Sequence, residues 1–224
     1  MIGPSDPTDP LAEPDALRRL VAVMDRLRSP GGCPWDAEQT HASLVPYVLE
    51  EAYEVAEAVE SGDRAHLREE LGDLLLQVVF HARVAQEDPA EPFDLDDVAD
   101  GLTTKLVRRH PHVFAEVDDV TDADAVNRQW DRIKGEEKQR TSVLDGVPLA
   151  LGALARAQKI ASRADRSALG VPAPDGDDLG ARLLALVQEA RATGLDAEGE
   201  LRRATATWEA GLRAAEADGR PTSA

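Results

Sequence analysis

The chain of 224 residues is long enough for one well-packed core, or one core with a smaller subdomain. Its 43 acidic and 25 basic residues leave a formal charge of -18, which disfavours a general nucleic-acid or membrane surface and favours solubility and cation binding. Cys33 is the single cysteine, so no internal disulfide is expected; the opening MIGPSDPTDP lacks the basic start and apolar run of a signal peptide, and no apolar stretch suffices to span a bilayer. A cytoplasmic protein with no nucleic-acid or membrane partner is the expectation.

Alanine, leucine, glutamate and arginine dominate without strand-like alternation, so the expected fold class is all-α, a helical bundle with short connections. Residues 1–13, rich in proline, read as a disordered lead. From Asp15, the spacing of Leu17, Leu20, Val21, Met24 and Leu27 predicts a helix that SPGGCP, from Ser29 to Pro34, ends. A second helix starts near Thr40 or Ser43 and runs to Glu60, and a third runs from Asp63 or Ala65 to about Gln86. A fourth spans Asp94 to about Arg109, ended by Pro111. A fifth, from Thr121 or Asp122 to about Gln139, carries Trp130, Ile133 and Lys134.

Two of these helices hold an unusual set of acids. On the second, Glu50, Glu51, Glu54, Glu57 and Ala58 fall on one arc, with Val48, Ala52, Val55, Ala56 and Val59 opposite; taken alone this is an amphipathic helix with a solvated acidic face. The third is different. Leucines, valines and Phe80 surround nearly its whole circumference, which predicts a largely buried helix, yet Glu70, Asp73, Gln77 and His81 form one polar stripe along it. A buried carboxylate without a partner costs several kcal/mol or takes up a proton, in round terms. Its partner is either a basic side chain, with Lys105, Arg108 and Arg109 available, or a metal ion. Facing helices that each present carboxylates at i,i+3 or i,i+4 converge oxygen ligands on one point, and an all-oxygen set suits Mg²⁺ or Mn²⁺ rather than Zn²⁺. Such magnesium sites commonly accept phosphate oxygens, so the substrate class indicated is a phosphoanhydride.

Glu50-Glu51-x-x-Glu54 followed by Glu70-x-x-Asp73 resembles the signature of the all-α nucleoside triphosphate pyrophosphohydrolases. GCPWDAEQTHASLVPYVLEEAYEV, HLREELGDLLLQVVFHA and KLVRRHPHVF resemble the MazG branch in particular, densely from about Leu17 to Lys138. The resemblance implies an enzyme that hydrolyses nucleoside triphosphates, ribo- or deoxyribo-, to the monophosphate and pyrophosphate, with a housekeeping role in removing unwanted nucleotides. It implies a homodimer or higher homo-oligomer, with Glu51, Glu54, Glu70 and Asp73 as Mg²⁺ ligands and Glu50 as a further ligand or the group that orients the attacking water. Narrower dUTP, dCTP or phosphoribosyl-ATP pyrophosphohydrolases, and a non-catalytic nucleotide-sensing or interaction protein, are the competing functions.

Pyrophosphate leaves with concentrated negative charge, which cations must neutralise. Lys105 and Arg109, four apart near a helix C-terminus, suit phosphate oxygens; the same placement also complements the helix dipole. Trp130 and Lys134, again four apart, resemble the family's base-stacking and phosphate-contacting element, or are a core tryptophan with an exposed lysine. Trp35 is either pocket wall or packing. His110 and His112 are a weak metal pair, better suited to capping or packing.

The catalytic-type domain is thus expected over residues 14–145, followed by a connecting segment over 146–170 whose helix begins at Leu149 and ends near Ala164. Val171 to Asp177 reads as a loop. Within 171–224, LGARLLALVQEAR from Leu179 lines up without a gap against LGDLLLQVVFHAR from Leu71, with Ala181 in place of Asp73 and Asp178 in place of Glu70. A last helix runs from about Glu198 to Glu216. This part is expected to be a degenerate, truncated second repeat without metal ligands.

Overall fold

The computed structural model describes residues 11, 13–115, 126, 129–130, 133, 142–167 and 169–218. Among them every regular element is a helix. The chain divides into two compact units, residues 1–130 and 131–224.

In the first unit, α1 (Ala16–Arg28) opens where the Asp15 side chain accepts the Arg18 backbone N–H, satisfying one of the orphan donors of a helix start. The following break turns through Gly31, whose φ of 79° is the left-handed conformation that glycine adopts without strain. Inside the stretch expected to be loop, α2 (Pro34–Glu38) forms with Pro34 in its first turn, where the missing N–H costs nothing. α3 (His41–Ser61) begins on a capping box between Thr40 and Ser43 and continues through Pro46. It ends at left-handed Gly62, and one residue later Asp63 caps α4 (Arg64–Ala85) by accepting the Ala65 and His66 N–H groups. This tight turn folds α3 and α4 into an antiparallel hairpin, the most extensive helix pair of the unit. α5 (Leu95–Arg109) starts on a second capping box, Asp94 with Asp97, and α6 (Pro111–Phe114) follows directly, again with proline at its start.

Met24, Leu44, Val79 and Phe80 make the fully buried core, with Leu20, Val21, Leu27, Leu76, Val84 and Leu95 packed around them. Arg28 is buried at its edge, where its Nη2 lies 2.8 Å from Glu87 Oε2 and its Nη1 donates to the Gln39 carbonyl at 3.1 Å.

α4 departs from the expected burial. Leu71, Leu75 and Val78 are exposed, whereas Glu70 and Gln77 are buried. The hairpin partner and α1 cover only part of its circumference, and the covered part includes Glu70 and Gln77 of the polar stripe. α3 departs likewise: Ala58, expected on the acidic arc, is buried, while Ala52 and Val59 on the opposite arc are exposed. Its inward stripe is Leu44, Val48, Glu51, Val55 and Ala58, so Glu51 turns toward the partner helix and is half-buried.

In the second unit, α7 (Ala153–Asp165) packs against α8 (Leu179–Ala192) and α9 (Ala197–Ala217). Leu149 to Leu151 form turn and bend instead of the start of α7. Gly152 caps α7 with backbone only; the Glu198 carboxylate of α9 supplies the missing acceptor, taking the Ala155 N–H at 3.2 Å. The expected fifth helix and the disordered lead fall mostly outside the described residues, although Val126, Gln129, Trp130 and Ile133 are helical.

Candidate metal centre

Glu51 on α3 and Asp73 on α4 lie about equally far from the hairpin turn, so antiparallel pairing sets them across from each other. Glu70, one helical turn before Asp73, shares its stripe. One carboxylate oxygen from each of Glu51, Glu70 and Asp73 lies within 4.8 Å of the other two. Burial, and then the nearby Asp73 carboxylate, push the Glu51 carboxyl above the usual carboxylate range; a hydrogen bond with Glu54 and the charges of Glu54 and Glu70 act in the same direction. Proximity and burial therefore work against ionisation at Glu51, the condition a bound cation relieves. Three oxygen donors at this spacing fit a hard divalent ion, and no nitrogen or sulfur ligand joins them among the described residues.

Glu54 contacts Glu51 from one turn further along α3 and is half-buried, whereas Glu50 and Glu57 point to solvent. The acidic arc is thus divided by the hairpin between inward and outward members.

A neighbour the sequence pattern left unassigned is His66, whose Nε2 lies 2.9 Å from Glu70 Oε1. Its signal was its position four residues before Glu70 on the same helix. Further along the stripe, Gln77 Oε1 is buried without a hydrogen-bond partner among the described residues. His81 then stacks on His41 of α3, rings 5.1 Å apart and nearly parallel, with their Nδ1 atoms 2.8 Å from each other. Burial, and then His41, hold the His81 pKa below its ordinary value.

Of the cationic candidates, Lys105 is exposed on α5, while Arg109 is buried with its Cζ 5.5 Å from the centre of the Trp130 ring. The expected pair of cations therefore has one exposed and one buried, stacked member. Lys134 lies outside the described residues. Trp35 packs edge-on against Tyr47 and Phe80, with centroids 5.9 and 6.4 Å away, yet remains half exposed. His110 caps α5, its Nδ1 donating to the Leu106 carbonyl at 2.7 Å.

Residues 39–114, which contain the whole α3–α4 hairpin and α5, match the MazG nucleotide pyrophosphohydrolase domain. An uncharacterized 26.1 kDa protein of Streptomyces cacaoi is 54% identical over 203 residues, covering 89% of this chain and 82% of that one. The nucleoside triphosphate pyrophosphohydrolase of Escherichia coli K12 is 50% identical over 151 residues, 66% of this chain and 56% of its own length. The nucleoside triphosphate pyrophosphohydrolase/pyrophosphatase MazG of Thermotoga maritima is 37% identical over 213 residues, covering 84% of this chain and 81% of that protein. The chain therefore spans most of the Thermotoga relative and little more than half of the Escherichia coli one.

Proposed function

This chain belongs to the MazG nucleotide pyrophosphohydrolase family, and from that premise we propose that it hydrolyses nucleoside triphosphates to the monophosphate and pyrophosphate. The observation that carries the proposal is the convergence of Glu51, Glu70 and Asp73 from two helices within 4.8 Å, an arrangement of like charges that a bound cation would relieve. Glu51, Glu70 and Asp73, with Glu54 beside Glu51, would hold Mg²⁺ or, in its place, Mn²⁺. When bound, that ion supplies positive charge to the phosphate oxygens of the substrate as pyrophosphate departs.

The chain's own groups do the rest. Water adds to phosphorus, the α–β phosphoanhydride bond breaks, and its electron pair leaves with pyrophosphate. Glu50, beside Glu51 but exposed and outside the three-carboxylate cluster, would orient the water and accept its proton from the solvent side of α3. His66 fixes the Glu70 carboxylate through the 2.9 Å contact, so that Glu70 keeps one oxygen directed at the cluster. Lys105, Arg109 and Lys134 meet the phosphate charge, and Trp130 offers a face for the base.

A homodimer belongs to the same proposal. Val45, Leu49 and Tyr53 on α3 and Leu71, Leu75 and Val78 on α4 recur at helical spacing on exposed faces. A second copy would cover such an apolar surface. The role is the removal of unwanted nucleotides in the cytoplasm.

The test is a panel of ribo- and deoxyribonucleoside triphosphates with and without Mg²⁺, separating monophosphate from diphosphate. Equimolar monophosphate and pyrophosphate, only with the divalent ion, is expected. Diphosphate with orthophosphate, or no turnover, rejects the reaction.

A further inference from the structure

The second unit contains a cavity of about 830 Å³ between α7, α8 and the loop that joins them, well away in sequence from the carboxylates of α3 and α4. That is within the size range of small-molecule sites, roughly 300–1,000 Å³. Leu144, Leu151, Ile160, Val171, Pro172 and Leu184 give it an apolar wall. Four polar side chains also line it, and they differ in what satisfies them. The Asp165 carboxylate is ion-paired with Arg191, and the Ser167 hydroxyl donates to the Ala164 carbonyl at 2.6 Å. Gln188 stands at the exposed edge. Arg156 is the exception: its Nε is buried with no hydrogen-bond partner among the described residues.

A guanidinium is charged at any physiological pH, and its planar fork binds a carboxylate, sulfonate or phosphate through two parallel N–H bonds. A buried Nε without a hydrogen-bond partner is unfavourable, and an anionic ligand group would remove that penalty. The apolar wall around the same cavity selects what the anion is attached to. We propose that this cavity is a ligand site for a small amphipathic acid, one anionic group on an apolar body, with Arg156 as the anion-binding residue. The inference does not rest on the hydrolytic reading of the first unit.

The probes are 8-anilinonaphthalene-1-sulfonate, which has this chemistry, and its uncharged analogue N-phenyl-1-naphthylamine, each titrated into the full chain by fluorescence. The sulfonate is expected to saturate a site at one per chain. Arg156→Gln should weaken it roughly 10- to 100-fold, the worth of a charge-assisted hydrogen-bond pair, while leaving the uncharged probe unchanged. Ala157→Trp, which fills the cavity from α7, should abolish saturable binding of both, and neither variant should alter nucleotide turnover. Equal sulfonate affinity in the parent and Arg156→Gln overturns the assignment, as does saturable binding that survives Ala157→Trp. If Arg156→Gln loses helicity, Arg156→Lys replaces it, because it keeps the charge without the planar fork; parent-like sulfonate affinity there overturns the role of Arg156.

Discussion

Replacing Asp73 with asparagine tests whether the three carboxylates are assembled for a cation or merely tolerated. In the ion-free protein Asp73 faces two like charges, Glu51 and Glu70, with oxygens no more than 4.8 Å away. At that separation each pair costs about 0.9 kcal/mol at the dielectric constant of water, and more where solvent is excluded. Solvent screening and side-chain movement reduce the realised value, so we take roughly 1–2 kcal/mol for the two pairs together. Asp73→Asn removes this repulsion without changing shape, and in EDTA it should raise the melting temperature of the first unit by ~2–8 °C. With Mg²⁺ the order should reverse. A ligand at about 100 times its dissociation constant stabilises the parent by ~2.7 kcal/mol, and the variant has lost a donor and gains far less. The assay is a pair of thermal melts followed by circular dichroism, with EDTA and with saturating Mg²⁺, alongside nucleotide turnover, which should be lost. Two results refute the reasoning: a variant less stable than the parent in EDTA, or one that gains as much from Mg²⁺ as the parent does.

The other expectations are independent of that crossover. Arg28→Met strips the buried guanidinium from Glu87 and the Gln39 carbonyl, and urea denaturation should register a loss of about 2–4 kcal/mol. Leu75→Glu places a charge on the exposed apolar face of α4; light scattering should show the proposed dimer converted to monomer, with helical content retained. His81 titrates below its ordinary value, so the unfolded chain binds more protons than the folded one between the depressed and ordinary histidine pKa values. Stability should therefore fall as pH drops through the ordinary histidine range, and His81→Gln should flatten that part of a pH-dependent urea profile. Trp130→Ala removes the ring beneath Arg109 and should raise KM for nucleotides about tenfold while changing kcat less, as read by steady-state kinetics.

The boundaries of the long helices could be read from sequence because their caps are local chemistry. Asp15, Thr40, Asp63 and Asp94 each accept a backbone N–H two or three residues ahead, and Gly62 ends α3 in the left-handed conformation that favours glycine. The short helices α2 and α6 escaped because each begins at proline, a residue that reads as a breaker unless its freedom to occupy the first helical turn is weighed. The burial of α4 could not be read from its own pattern. With apolar residues nearly all round, only the identity of the covering helices decides which side is dry, and α3 and α1 cover the side that includes Glu70 and Gln77. The same holds for His66: its spacing of four from Glu70 marks the pair, but not that Glu70 is held inward where the two meet.

The helix of the second unit whose sequence aligns with α4 offers a comparison for the placement of those acids. In the gap-free alignment, Val187 stands at the position of Val79, and both are fully buried; Leu179, Leu183 and Leu186 stand at Leu71, Leu75 and Val78, and all six are exposed. The two helices thus present the same phase to their surroundings. Where they differ is the start. α4 begins at Arg64, so Glu70 lies well inside it and projects from a formed helical turn, whereas α8 begins at Leu179 and Asp178 is its cap, accepting the Ala181 N–H at 3.1 Å. The acid that aligns with Glu70 is therefore consumed by helix initiation, and Ala181 is buried where Asp73 presents its carboxylate. A helix of this phase packs with a neutral residue at that position. Among the described residues the packing of α4 does not call for a carboxylate at Asp73, and its charge raises the cost of ionising Glu51, a cost that the proposed cation would offset.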